Sequence, residues 1–269
     1  MSNSGKIKIV TGWSNPGGST IAHISLCNLF NENGMDCTMY GPHPWHLGKC
    51  KSGTSQDVEV EQGDTIISHY VKVNAEQLRE ADCLHILSCH ETNMFPLKEM
   101  DVTGYDAIHY VSNKQKKWHS VNHPNFVIPN VVEDLNPSPL NTGACGIIGS
   151  VDSHKQPHVS IERALWDGWE KIFVFGSVND VPYAREYLEP LVAKHPGKIH
   201  YQGHVDDKQE MYDSIDAVYH SSKRETFNFI KAECEKTGVS YRGLDTADTD
   251  AVDMSKEDIL KLWKKHILL

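Results

Sequence analysis

Apolar residues recur along this chain in two alternating rhythms. Ile7-Lys8-Ile9-Val10-Thr11-Gly12 is a β-branched run closed by glycine, the composition of a short strand. Between Thr20 and Asn33, Ile21, Ile24, Leu26, Cys27, Leu29 and Phe30 fall near one helical face, and Gly34 stands where a helix-ending glycine belongs. Cys37 to Tyr40 reads as a second strand. Strand, loop, helix, strand is the opening of a parallel, doubly wound sheet. Further strands are expected at Thr65–Tyr70, Cys83–Cys89, Ala107–Ser112 and Phe126–Ile128, with a short helix over Asn113–His119. Residues 41–63, with Pro, Gly and mixed charge, read as a surface excursion.

Asp134-Leu-Asn-Pro-Ser-Pro-Leu-Asn141 has the composition of a linker, and the alternation restarts after it. Strands are expected at Gly146–Gly149, Ile172–Gly176, Ile199–Tyr201 and Ala217–His220. Helices are expected at Val159–Gly168, Ala184–Lys194, Lys208–Ser214 and Thr226–Lys236, the last closed by Gly238. The pattern predicts two Rossmann-like α/β domains facing a cleft, residues 1–138 and 139–269.

Composition narrows the function classes. The 269 residues carry 26 Lys+Arg against 36 Asp+Glu, a net charge of −10, which argues against a general nucleic-acid backbone binder. No apolar run approaches the ~18 residues of a membrane span, and MSNSGKIKIV lacks the apolar segment of a secretory signal. The seven cysteines (Cys27, Cys37, Cys50, Cys83, Cys89, Cys145 and Cys234) are scattered, odd in number and never spaced C-x-x-C. A reduced, cytoplasmic protein without disulfides is expected.

Candidate chemistry sits in three places. The loop Gly12-Trp-Ser-Asn-Pro-Gly-Gly-Ser19 has Gly18 where a P-loop has its lysine, and it also misses G-x-G-x-x-G, which counts against an ATPase and a dehydrogenase. The pair Gly17-Gly18 remains, reading equally as an anion-binding helix start or a tight turn. Gly149-Ser-Val-Asp-Ser-His-Lys155 connects a strand to a helix, with Lys155 either an ordinary surface lysine or a charge for a diphosphate. Glu225 and Glu233 bracket the start and middle of an expected helix, roughly 12 Å apart along its axis at 1.5 Å per residue. Two such carboxylates suit the diols at opposite ends of a nucleoside diphosphate sugar, or else are a capping and a solvated glutamate.

These phrases together resemble GT-B glycosyltransferases of family 4, a large group of retaining enzymes, over nearly the whole chain. The matching phrases are Gly17-Gly18, Ile128-Pro129-Asn130-Val131 (commonly Ile-Pro-Asn-Gly), Gly149-Ser150-Val151 with Lys155, Gly203-His204-Val205-Asp206, and the E-x7-E pair Glu225 and Glu233 followed by Gly238. The resemblance implies a nucleotide-sugar donor, UDP-, GDP- or ADP-linked. Lys155 would lie on the diphosphate, Glu225 on the transferred sugar, Glu233 on the ribose, and Gly203, His204 and Val205 around the base. Thr226, Phe227 and Asn228 would approach the donor, and His90 would lie near the reaction centre, with His69 in a similar setting. The family's usual arginine is Ser150 here, so a catalytically silent sugar-nucleotide-binding protein is the alternative. The leaving diphosphate would be stabilised by Lys155 and a helix N-terminus, with no metal and no cofactor.

The acceptor, an unknown carbohydrate, lipid or small molecule, would sit on the first domain; His43 to Lys51 with Trp45 are candidates there. Ser255-Lys-Glu-Asp258 reads as a capping box opening an amphipathic helix with Ile259, Leu260, Leu262, Trp263 and Ile267. Packing back on the first domain is its expected use, membrane association its alternative through Lys261, Lys264 and Lys265. The pairs His119/His123, His154/His158 and His200/His204 have i, i+4 spacing, but Pro124, Pro157 and Gly203 interrupt them and no H-E-x-x-H occurs, so no metal site is expected.

Overall fold

The computed structural model describes residues 5–12, 17–41, 51–54, 58–71, 73, 80–92, 97–247, 249–251 and 253–267. The chain divides into two compact units, Met1–Val132 with Asp250–Leu269, and Glu133–Thr249.

In the first unit, seven strands form one parallel sheet: β1 Ile7–Thr11, β2 Cys37–Gly41, β3 Lys51–Thr54, β4 Thr65–His69, β5 Leu84–Cys89, β6 Ala107–Tyr110 and β7 Asn125–Val127. Their spatial order is β3-β2-β1-β4-β5-β6-β7. Every residue of β1 and β4 is buried, as expected of strands covered on both faces. Lys8 is the exception in chemistry: its ammonium is buried against Asp64 at 2.5 Å and the Glu59 carbonyl. Helix α1, Gly18–Glu32, lays Ile24, Leu26, Cys27, Leu29 and Phe30 into the core and ends at Gly34, whose φ of +75° favours glycine. Helix α2, Asn113–His119, is capped by Ser112, whose hydroxyl accepts the Gln115 N–H.

The C-terminal helix α7, Lys256–Ile267, belongs to this first unit. Ser255 caps it by accepting the Asp258 N–H. Its Ile259, Leu260, Trp263 and Ile267 join the α1 core, with Trp263 edge-on to Phe30 and Phe126 at 5.9 and 5.5 Å. The apolar stripe read from the sequence is therefore covered by protein.

The second unit repeats the plan with β8 Cys145–Ile148, β9 Ile172–Phe175, β10 Ile199–Gly203, β11 Ala217–His220 and β12 Ser240–Gly243, all parallel, in the order β10-β9-β8-β11-β12. Its helices are α3 Pro157–Trp166, α4, α5 Lys208–Asp213 and α6 Phe229–Thr237. Helix α4 runs through Val181–Tyr183, a π-helical turn Ala184–Leu188, and Glu189–Lys194. The linker-like segment is held on this unit: Asn136 N–H bonds Gln209 Oε1 and Ser138 N–H bonds the Thr237 carbonyl, each at 2.8 Å.

Three expectations are corrected. The excursion at 41–63 contains the edge strand β3, and Ser240–Gly243 adds β12; both are too short and polar to show a strand rhythm. Helix α6 starts at Phe229 rather than Thr226, because Asn228 accepts the Lys231 N–H and sets the cap there.

Trp263→Ala should destabilise the first unit by about 3–5 kcal/mol, since a fully buried aromatic leaves a cavity among Phe30, Phe126 and His109. Denaturant unfolding followed by the loss of α7 helicity checks this; an effect under about 1 kcal/mol would contradict the packing.

Candidate active site

In each sheet the chain order reverses beside the first strand, between β1 and β4 and again between β8 and β11. Loops leaving the C-terminal ends of such neighbouring strands diverge and leave a crevice, the usual ligand position in open α/β sheets.

In the second unit the loop after β8 is shaped by Asp152. One of its carboxylate oxygens accepts the N–H groups of His154 and Lys155 at 2.9 and 2.8 Å, and the other accepts the Ser150 hydroxyl at 2.5 Å. From across the crossover, the loop after β11 brings Glu225. Lys155 Nζ donates to Glu225 Oε1 at 2.5 Å, and His220 Nε2, at the end of β11, lies 3.0 Å from the same oxygen. The two loops are tied together by Lys223 N–H to the His154 carbonyl, His154 Nε2 to the Arg224 carbonyl, and Ser221 Oγ to the Gln156 carbonyl. Burial alone would raise the Glu225 pKa, but Lys155 and then His220 outweigh it and hold it at about 2. Glu225 is therefore a carboxylate at any physiological pH.

Glycine shapes the neighbouring strand ends. Gly149, Gly176 and Gly203 follow or end β8, β9 and β10, with φ of +131°, +140° and +72°. A Cβ on Gly176 would collide with the Gly149 carbonyl. The Tyr201 hydroxyl donates to the Gly176 carbonyl at 2.8 Å. This edge presents backbone where side chains would otherwise stand.

The remaining residues named from the sequence fall in several settings. Glu233 is buried on α6, bonded to Lys208 Nζ at 2.6 Å and the Tyr212 hydroxyl at 2.8 Å, apart from the Lys155–Glu225 contact. The Lys208 pKa is lowered by burial but raised further by Glu233 and Glu133, for a net rise. Glu225 precedes α6 by four residues, so the separation expected from one continuous helix does not apply. The Asn228 amide bonds Tyr241 and the Ala247 carbonyl besides capping α6, and Phe227 is buried edge-on to Phe229. Thr226 accepts Thr249 Oγ1 through its carbonyl. Beyond Gly203, His204 is exposed beside Asp206, while Val205 packs partly into the core.

In the first unit, Gly17 precedes α1 with no side chain capping the helix, and a Cβ at Gly17 or Gly18 would meet nothing. Residues 13–16 of that loop lie outside the described residues, as do 42–50 with His43 and Trp45. His90, just past β5, is buried in a cluster with His23, His69 and His109, its ring 4.4 Å from that of His23 and 5.6 Å from that of His69. Burial, before any neighbouring charge, holds His23 and His90 well below the ordinary histidine value and His109 at about 4. Asn130 and Pro129 of the Ile-Pro-Asn phrase line a cavity of about 10 Å³ with His23, His90, His109 and Trp263.

The paired histidines have separate partners: His119 the Glu91 carbonyl, His123 the Tyr105 carbonyl, His158 the Tyr183 hydroxyl and His200 the Gly197 carbonyl. Among the described residues no group of three or more His, Cys, Asp or Glu is arranged to hold a metal ion. No described helix is long and apolar enough to cross a membrane.

Solved structures share this fold. The Anabaena protein Alr3699/HepE, in complex with UDP-glucose, aligns with 90% of this chain and 81% of its own at 13% identity and a TM-score of 0.70. A glycosyltransferase from Rickettsia africae ESF-5 aligns with 90% of this chain and 80% of its own at 13% identity and a TM-score of 0.67. The fold is GT-B. WaaG, a glycosyltransferase involved in lipopolysaccharide biosynthesis, matches over 98% of this GT-B chain and 90% of its own, at 11% identity and a TM-score of 0.60. No protein-family model matches the chain, and no curated protein does.

Asp152 and His220 were not singled out from sequence. An Asp three residues before Lys155 was a readable turn signal, whereas His220 gains its role only from the crossover.

Above the unfolded glutamate value of about 4.5 the Glu225 pair contributes its full stability, on the order of 3 kcal/mol, and that contribution is lost as pH falls toward 2. Lys155→Met should raise the Glu225 pKa by more than one unit, read from the side-chain carboxyl ¹³C shift. An unchanged titration would mean the two groups do not pair.

Proposed function

We propose that this chain is a retaining glycosyltransferase of the family 4 kind, moving a hexose-type sugar from a nucleotide-sugar donor to an acceptor hydroxyl. The observation that carries the reading is the Lys155–Glu225–His220 constellation at the β8/β11 crossover. The GT-B fold supports it, since its structural neighbours include HepE in complex with UDP-glucose.

The chemistry follows from which donors and acceptors remain. An ammonium has three N–H donors, so Lys155 keeps two for phosphate oxygens after bonding Glu225. Both described bonds to Glu225 converge on Oε1, which leaves Oε2 for a sugar hydroxyl. Glycine at strand ends, above all Gly203, lets the nucleotide approach the backbone, with His204 and Val205 beside the base. Glu233 is assigned to the ribose, its charge held by Lys208 and Tyr212. The donor belongs to the second unit and the acceptor, of unassigned class, to the first, where His90 is the candidate near the reacting groups and Gly17-Gly18 an anion-facing helix start.

In the proposed step the bond from the anomeric carbon to the diphosphate oxygen breaks while the acceptor oxygen bonds that carbon on the same face. The acceptor proton passes to a phosphate oxygen, and Lys155 stabilises the charge developing on the leaving group. A second reading, a sugar-nucleotide-binding protein without turnover, rests on Ser150, whose hydroxyl turns to Asp152 where the resembling family carries an arginine.

Thermal-shift measurements with UDP-, GDP- and ADP-glucose should find one donor that stabilises the protein, about 2.7 kcal/mol at a hundred times its Kd. Lys155→Ala should weaken that donor at least tenfold, and Glu225→Gln should cut nucleoside diphosphate release a hundredfold with modest loss of binding. Binding without release would select the second reading. Stabilisation by none of the three would sink both.

A further inference from the structure

The buried histidines of the first unit meet at one hydroxyl. Ser88 Oγ, on β5, lies 2.9 Å from His23 Nε2, 3.1 Å from His109 Nδ1 and 3.1 Å from His90 Nε2. The outer nitrogens of two of these rings face carbonyls: His23 Nδ1 is 2.7 Å from the Ser19 oxygen and His109 Nε2 is 2.8 Å from the Ile128 oxygen. A carbonyl only accepts, so those two nitrogens carry hydrogens. In neutral rings, His23 Nε2 and His109 Nδ1 are then both lone pairs, and both point at Ser88.

A serine hydroxyl has one hydrogen and two lone pairs. It can donate to His23 or to His109, never to both. With two neutral rings, one nitrogen lone pair faces an oxygen lone pair in a fully buried place, where an unmade bond is expensive. One added proton removes the conflict. Whichever of His23 and His109 becomes imidazolium donates to Ser88, Ser88 donates to the other, and His90 Nε2–H fills the second lone pair. The hydroxyl is then saturated, and a second proton has nowhere to bond. Under this pattern His90 keeps its hydrogen on Nε2, toward Ser88.

We propose that Ser88, His23 and His109 form a one-proton device that sets the tautomer of His90, making them positioning residues for the transfer reaction. The role in transfer rests on the proposed function; the proton count does not. The titratable groups facing the trio from the packed elements are His69 at the end of β4, beside Thr11 of β1, Glu91 after β5, which lies 3.5 Å from His69, and His266 of α7, which stacks on Phe126 and opposes charge on His109. Burial, with His69 acting on His23 and His266 on His109, makes the proton costly, so the device charges on acidification and not at neutral pH.

The test is long-range ¹H–¹⁵N correlation of histidine-labelled protein between pH 7.5 and 3, paired with donor turnover over the part of that range where the protein stays folded. The expected spectra show the Nδ1–H tautomer for His23, Nε2–H for His109 and His90, and uptake of a single proton shared by His23 and His109. Ser88→Ala should lower the pH of that uptake by at least one unit, mix the His90 tautomers, and reduce kcat about tenfold with a shifted pH profile and unchanged donor KM; Ser88→Thr should restore all of these. Independent uptake of two protons by His23 and His109 in the wild type would overturn the proposal even if Ser88→Ala failed to fold. So would a Ser88→Ala titration and pH profile superimposable on the wild type. Single-proton spectra without turnover of any donor would instead remove the proposed function and leave the device standing.

Discussion

Two loops that are 70 residues apart in the chain, ending in Lys155 and Glu225, are neighbours because of one topological constraint. A parallel sheet can grow from its first strand in both directions only if the chain crosses over that strand. The two loops flanking the crossover then leave adjacent strand ends on opposite faces. In the second unit that crevice lies between β8 and β11; in the first it lies between β1 and β4, near the buried histidines.

The constraint explains how a chain with a net charge of −10 can hold the lysine proposed to meet the donor diphosphate. Net charge acts through the distant field, whereas Lys155 acts at contact, and its neighbour Glu225 orients it without removing its remaining donors. The same logic separates Glu225 from Glu233. Both were paired by spacing in sequence, yet one lies in a strand-to-helix loop and the other is sealed against Lys208 and Tyr212. Asn228 is the cause: by capping α6 it makes residues 225–227 a loop and gives Glu225 its freedom to reach across the crossover.

The first unit shows the opposite use of polar groups. There His23, His90 and His109 are withdrawn from solvent, and burial keeps these three neutral. Their hydrogen-bond demands, not their charges, decide the arrangement, because Ser88 is the shared partner of three rings. Trp263 closes this region from a helix at the far end of the chain, so the C-terminal segment contributes to the setting of a cluster whose members begin at residue 23.

The sequence by itself determined the alternation of strands and helices, the two-unit plan, the Gly34 and Gly238 helix stops and the Ser255 cap. Those are local properties: periodicity, β-branching and turn chemistry act within a few residues and are readable there. It did not disclose β3 and β12, whose pairing comes from a neighbouring strand and not from their own residues. Nor did it disclose Asp152 and His220 as supports of the site, or the meeting of His23, His90 and His109 at Ser88. Only tertiary structure decided these, because strand order and register choose which distant side chains come within hydrogen-bond distance, and no spacing along the chain encodes that choice.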